Sequence, residues 1–138
     1  MFRKLMYKMW FNKVRKDPSY IIDMPNKYKD YGMYLEAVKQ NGLLLHEVPY
    51  EYRSSEICIA AIKDYTDMIK SIPDQIKTYE MCLIAVKQEG SMLQYVPNRY
   101  RDYEMCLEAA NENGVALQFT PDEFIPSIMN ELVLVEIK

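Results

Sequence analysis

Histidine is nearly absent from this sequence, which has one, His46, among 138 residues. A Ser–His–Asp or Cys–His arrangement needs an imidazole beside its nucleophile, so such catalysis has a single candidate base. A carboxylate or lysine site stays open, but no pattern singles one out. We therefore predict a chain that is not an enzyme and has no cofactor.

Long apolar runs are also lacking. No stretch approaches the roughly 18 apolar residues of a membrane span. Charges scattered through the first 16 residues leave no continuous apolar segment of the secretory type. The three cysteines are an odd number, which favours a reducing compartment. We expect a cytoplasmic or nuclear protein.

Neither sign of charge dominates, because 17 basic residues stand against 20 acidic ones. A net charge of -3 disfavours non-specific nucleic-acid binding, which depends on neutralising phosphates. Apolar residues make up 49% and charged residues 27%, as in ordinary globular proteins. The length suffices for one domain with a core, and we predict a single domain over 1–138.

What the sequence does contain is a repeat with a step of 24 residues. Four full units begin at Pro25, Pro49, Pro73 and Pro97 and fill 25–120. The cysteines and a row of alanines keep the same step; they are Cys58, Cys82, Cys106, Ala37, Ala61, Ala85 and Ala109. A degenerate unit over 1–24 and a partial unit over 121–138 are predicted to cap the two ends, as stacked repeats require.

Each unit is predicted to hold two helices. One slot contains only residues favoured at helix N-caps, namely Asp30, Ser54, Thr78 and Asp102. A main helix of about ten residues follows, with an apolar arc wide enough to contact a neighbour on either side. The second helix starts at a slot occupied by Pro18, Gly42, Thr66, Gly90 and Gly114, because proline suits the first position of a helix and cannot adopt positive φ. The predicted fold is all-α, an α-solenoid of two-helix repeats.

The motif "YEMCLxAVKQxGxxLQYVPxxYR" resembles a short repeat family catalogued as a domain of unknown function. The resemblance covers about 17–124, and its specific parts are "AVKQ-G" and "YVP-xYR". Such repeats occur in proteins of amoeba-infecting giant viruses, phages and intracellular bacteria. The resemblance implies an all-helical repeat, without known catalytic residues, in a viral or pathogen protein that acts on a host or virion component.

The cysteines are predicted to pack rather than bind metal. A zinc site needs ligands that converge on one point, whereas thiols 24 residues apart in stacked repeats lie in a line. The same slot holds Trp10, Tyr34 and Asn130 in other units, and a free cysteine behaves as a small apolar group. His46 has Ile22, Lys70, Gln94 and Gln118 as equivalents, so an exposed position is expected.

Two sets of residues are candidate binding sites. The basic row, one residue before each N-cap, could hold phosphates or an acidic peptide at helix N-termini; its members are Lys29, Arg53, Lys77 and Arg101. Interleaved glutamates favour ordinary solvated surface instead. The tyrosine row consists of Tyr31, Tyr79 and Tyr103, which could anchor an interface or stack on bases, with packing between repeats as the alternative.

The first helix is predicted to place Phe2, Met6, Met9, Trp10 and Val14 on one apolar side that covers the end of the repeats. At the other end, Leu132–Val135 is apolar on all sides, so self-association is expected if the run is exposed. The leading hypothesis for function is a protein–protein interaction module. The alternative is an anion-binding module for nucleic acid or nucleotides that uses the basic row.

Overall fold

The computed structural model describes residues 1–137, in which seven α-helices alternate with short 3₁₀ helices and no strand occurs. The α-helices are α1 (Phe2–Lys16), α2 (Tyr20–Asp23), α3 (Tyr31–Gln40), α4 (Ser55–Asp64), α5 (Tyr79–Gln88), α6 (Tyr103–Glu112) and α7 (Ile125–Ile137). The all-α repeat class is therefore confirmed. Among the described residues, no helix combines the length and apolarity needed to cross a bilayer.

The chain forms two compact units, Met1–Met68 and Ile69–Lys138, and the 3₁₀ helix Thr66–Ser71 spans the boundary between them. In the first unit α3 packs between α1 and α4, and the 3₁₀ helix Gly42–Glu47 contacts both α3 and α4. In the second unit α5 packs on α6 and α6 on α7. The 3₁₀ helices Gly90–Tyr95 and Gly114–Phe119 pack on each other and on the main helices. Within each unit, successive repeats stack as in an α-solenoid.

The N-cap slot begins each main helix as predicted. The side chains of Asp30, Ser54, Thr78 and Asp102 each accept a hydrogen bond from the backbone N–H three residues on, at 2.9, 3.3, 3.2 and 2.8 Å. Each bond satisfies a first-turn donor that has no partner within the helix. The start of each main helix is thus determined by a hydrogen bond between residues that are close together in the sequence.

The second helix of each repeat is a 3₁₀ helix, and Gly42, Gly90 and Gly114 each occupy its first position. No residue in 1–137 has positive φ, so a left-handed helix end is not what selects glycine here. A Cβ on Gly42 would lie 2.7 Å from the Ala61 carbonyl oxygen of the next main helix. Close approach to the alanine row of the next main helix is thus the reason for glycine at Gly42 and also at Gly90, which meets the Ala109 carbonyl, whereas Gly114 has open space around it.

The core of each unit follows the predicted apolar slots. In the first unit Met33, Val38, Leu45 and Ile57 are fully buried. In the second unit the fully buried residues include Ile69, Met81, Leu93 and Met105. Burying one such side chain contributes on the order of 1.5–3 kcal/mol.

The prediction for the face of α1 was partly wrong. Val14 is buried and Met6 and Trp10 are half-buried, but Phe2 is 73% exposed and Met9 is 37% exposed. Phe2 and Met9 lie with Leu5 at helical spacings of three and four residues, which defines a second apolar stripe. The helix therefore carries two apolar stripes, and only one of them is covered.

Candidate functional site

The side chains of the basic row donate hydrogen bonds to backbone carbonyl groups. Lys77 is 6% exposed, and its Nζ donates to the Tyr95 carbonyl oxygen at 2.8 Å and to Asp74 Oδ1 at 2.8 Å. Arg101 repeats this contact one repeat later, because its guanidinium donates to the Phe119 carbonyl at 3.0 Å. Tyr95 and Phe119 are the last residues of two equivalent 3₁₀ helices, where carbonyls lack partners and carry negative dipole charge.

The other members of the row bind carbonyls at the end of the preceding repeat. Arg53 Nε donates to the Val48 carbonyl at 2.9 Å, and Lys29 Nζ donates to that of Ile22 at 3.3 Å. Arg101 also makes this second kind of contact, to the carbonyl groups of Val96 at 2.8 Å and Gln94 at 3.0 Å. The row lies beside helix N-termini in the sequence, but its side chains donate hydrogen bonds to carbonyl groups near the C-terminal ends of short helices. Its cations are therefore engaged inside the fold, and ligand binding by the row stays a prediction.

Two members of the tyrosine row, and Tyr7 in the N-terminal unit, contact the N-cap of the following repeat. The pairs joined by tyrosine hydroxyl groups are Tyr7–Asp30 at 3.3 Å, Tyr31–Ser54 at 3.0 Å and Tyr79–Asp102 at 3.2 Å. Burial raises the pKa of Tyr79 to about 12, with the hydrogen bond to Asp102 as the second cause. Burial and a hydrogen bond to Glu131 likewise raise the pKa of Tyr103. The hydroxyl groups thus serve packing between repeats, while the rings stay half-buried.

Replacing Tyr31 by phenylalanine tests this link. The hydroxyl of Tyr31 contacts Ser54 Oγ and also donates to Glu56 Oε2 at 2.8 Å. We expect Tyr31→Phe to lower the free energy of unfolding by about 0.5–1 kcal/mol, because both partners keep partial access to water. Urea denaturation measures the change. Tyr50→Phe is the control, since that side chain is 57% exposed and should change stability by less than about 0.3 kcal/mol; equal losses would contradict the assignment.

The three cysteines are fully buried, as the packing interpretation predicts. Burial raises the pKa of Cys58 and Cys82 to about 11 and also raises the pKa of Cys106. Within the part of the chain that the structure describes, no group of three or more His, Cys, Asp or Glu side chains could hold a metal ion. His46 is exposed, as expected.

Thiol reactivity should therefore be low in the folded chain. With a pKa of about 11, Cys58 is about one part in a thousand thiolate at pH 8, and no surface of it reaches solvent. We expect reaction with a disulfide dye to be at least about 100-fold slower in the native protein than in the protein unfolded in urea. A Gln94→Cys variant provides an exposed thiol on the same chain. Native cysteines that react as fast as this control would refute the packing assignment.

A groove lies between α5 and α6 in the second unit. We call it the α5–α6 groove; it is lined by Tyr79, Leu83, Lys87, Glu104, Leu107 and Glu108. The first three follow one another at four-residue spacing on one face of α5. Tyr79, Leu83 and Leu107 are half-buried, whereas the lysine and both glutamates are exposed. The groove thus has an apolar floor and a rim with charges of both signs.

The equivalent positions in the first unit are Tyr31, Leu35 and Lys39 on α3, facing α4. Here Lys39 Nζ lies 3.9 Å from Glu56 Oε1, an exposed ion pair that contributes little to stability. Of the residues predicted as binding sites, only Tyr79 lines the α5–α6 groove. The leucines were missed as site residues because a leucine in an apolar arc also fits the core. What distinguishes these leucines from core leucines is that they are half-exposed, at the edge of the apolar arc.

One protein-family model matches the chain twice, over residues 30–77 and 78–125. The family is described as "Domain of unknown function (DUF4116)". The chain belongs to this family. Each DUF4116 match starts at an N-cap residue, Asp30 or Thr78, and spans two 24-residue repeats. The suspected family resemblance is thereby confirmed, whereas neither the curated proteins nor the solved structures yield a match.

Proposed function

We propose that this DUF4116 chain is a non-catalytic protein–protein interaction module. The observation that carries the proposal is the α5–α6 groove, whose floor is half-buried tyrosine and leucine and whose rim is charged. Protein interfaces have the same plan, with an apolar centre in which tyrosine is enriched and a polar rim. Because the repeat recurs, a partner can contact several equivalent positions.

The chemistry of the groove defines the kind of partner. Leu83 and Leu107 offer contact to an apolar side chain, and Lys87 stands opposite Glu104 and Glu108. A peptide with an apolar anchor and charges of both signs complements this surface. A phosphate backbone does not, since two carboxylates face it.

The alternative, an anion-binding module for nucleic acid or nucleotides, depends on the basic row. The hydrogen bonds of Lys77 and Arg101 to backbone carbonyls argue against it, because most of their donors are already engaged within the fold. We rank it second. It predicts steep salt dependence of binding, because bound cations displace counterions.

We place the protein, as part of the proposal, in the cytoplasm or nucleus of the cell in which it acts. Three reduced, buried cysteines support a reducing compartment. The family resemblance supports a viral or pathogen protein that acts on a host or virion component. Both statements are tested by identifying the partner.

Affinity capture from host lysate, with and without nuclease, tests the proposal. The bait variants are Leu83→Gln with Leu107→Gln in the groove, and all four members of the basic row changed to glutamine. The matched control is Leu43→Gln with Val115→Gln, because those apolar side chains are 44% and 50% exposed on 3₁₀ helices outside the groove. Circular dichroism and urea denaturation establish that each bait is folded.

A discrete protein that survives nuclease, is kept by the control and is lost from the groove variant supports the interaction module. Nucleic acid captured alone, and lost only from the basic-row variant, overturns it in favour of the alternative. A partner kept equally by the groove variant would place the interface elsewhere and remove the observation on which the proposal depends.

A further inference from the structure

Helix α1 combines an uncovered apolar stripe with a charge of a single sign. Phe2 and Leu5 are 73% and 65% exposed, and Met9 continues the stripe. The helix has six basic residues and no acidic one: Arg3, Lys4, Lys8, Lys13, Arg15 and Lys16. All six are exposed. Six positive charges on a chain whose net charge is -3 make this helix electrostatically distinct.

Helix α7 has the opposite character. Val133, Leu134 and Val135 are 52%, 59% and 70% exposed, and Met129 is 50% exposed. Most of the run Leu132–Val135 is therefore exposed, which meets the condition for self-association predicted from the sequence. The acidic residues of 122–136 are Asp122, Glu123, Glu131 and Glu136, all exposed, and that stretch contains no basic residue.

We propose that α7 of one copy of this chain docks on α1 of a second copy, which gives head-to-tail self-association. Each helix alone presents apolar side chains that lack a cover, and each carries the charge that the other lacks. Apolar stripes supply the contact area. Opposite charges orient the encounter and disfavour pairing of α1 with α1 or of α7 with α7.

Charge complementarity distinguishes this arrangement from a symmetric dimer. In a two-fold contact between α7 helices, acidic surface would meet acidic surface, and like charges in contact are unfavourable. A heterologous contact joins unlike surfaces, so it can continue from copy to copy. This inference uses surfaces other than the α5–α6 groove and does not depend on the proposed function.

Sedimentation velocity over a concentration series, at about 50 and 500 mM salt, tests the proposal. We expect wild-type chains to associate with increasing concentration and to associate less at high salt, because exposed charges are screened. One variant reverses the charge of the first half of α1, where the apolar stripe lies, with Arg3→Glu, Lys4→Glu and Lys8→Glu. Another reverses α7 with Glu131→Lys and Glu136→Lys. Each alone should weaken association at least about tenfold, since like charges then face each other.

Mixing the two reversed variants is the decisive step. The variant with the reversed α1 keeps its acidic α7, which complements the basic α1 of the variant with the reversed α7. The reversed α1 and the reversed α7 also carry opposite charges. We expect the mixture to regain association that neither variant shows alone. The substituted side chains are all exposed, and among them Glu131 has a hydrogen bond within the chain, to Tyr103, so circular dichroism and urea denaturation check that each variant is folded.

Three results would overturn the proposal. They are wild-type chains that stay monomeric up to several hundred micromolar at low salt, single reversed variants that associate as strongly as wild type, and a mixture that does not recover. A fourth arm uses vesicles with about 30% anionic lipid, because basic amphipathic helices also bind membrane surfaces. Vesicle binding by a wild-type chain that remains monomeric would reassign α1 to a membrane surface.

Discussion

Gly42→Ala should lower the free energy of unfolding by about 2–3 kcal/mol, a large loss for the addition of one methyl group. The new Cβ would lie 2.7 Å from the Ala61 carbonyl oxygen and 3.1 Å from the Ala61 Cα. Both are backbone atoms of the next main helix, so the clash cannot be relieved by rotating a side chain. The two repeats must move apart, which removes packing along their whole contact.

Two matched substitutions separate this effect from a general cost of alanine. Gly90→Ala should be at least as harmful, since its Cβ would overlap the Ala109 carbonyl oxygen. Gly114→Ala should be neutral or stabilising by up to about 1 kcal/mol, because nothing lies within 4 Å of its Cβ and the backbone does not need glycine. Urea denaturation of the three variants measures the series. A loss at Gly114 equal to that at Gly42 would contradict the close-approach explanation.

Lys77→Met should lower the free energy of unfolding by about 1.5–3 kcal/mol. The side chain is 6% exposed, and methionine fills a similar volume without a donor. The Tyr95 carbonyl, which accepts from Lys77 Nζ at 2.8 Å, would then lose this partner. Loss of the ion pair with Asp74 adds little, because the Asp74 side chain is 62% exposed.

Lys29→Met is the control in the equivalent slot. Lys29 is half-buried and makes a longer contact of 3.3 Å to the Ile22 carbonyl, so we expect a loss below about 1 kcal/mol. Thermal and urea denaturation compare the two variants. If Lys77→Met were as mild as Lys29→Met, the carbonyl contact of Lys77 would have no structural importance, and the case against the anion-binding alternative would weaken.

The pH dependence of the Lys77 contact has a definite sign. The hydrogen bond from Lys77 is the main cause that lowers the pKa of Asp74 below its ordinary value of 3.8. A carboxylate with a lowered folded-state pKa adds stability above its ordinary pKa and loses it as the pH falls through the folded value. The exposure of Asp74 keeps this contribution small.

The parts of the fold that follow from local chemistry could be predicted from the sequence. A slot with only Asp, Ser and Thr predicts a helix N-cap because the capping bond spans three residues. The second helix was predicted from Pro18 and Thr66, whose backbone limits exclude a left-handed turn. Both inferences use atoms close together in the chain.

Features that depend on contacts between residues far apart in the chain could not be predicted in the same way. From the sequence alone, a lysine before an N-cap is a candidate anion-binding residue. In the structure, the Nζ of Lys77 instead donates to the carbonyl of Tyr95, 18 residues later in the chain. The face of α1 was misassigned because one apolar pattern contains two stripes, and only packing decides which is covered. In the sequence, Leu83 and Leu107 suit either a core position or the floor of a groove. Their partial exposure in the structure decides between these two roles.

The interaction module is the central claim, and photo-crosslinking from the α5–α6 groove tests it most directly. A photoreactive phenylalanine analogue would replace Lys87 on the rim, with the same analogue at the exposed Gln94 as the control. After irradiation in host lysate, the account predicts a discrete protein adduct from position 87 that resists nuclease and is absent from position 94. Adducts to nucleic acid alone, or the same adducts from both positions, would contradict it.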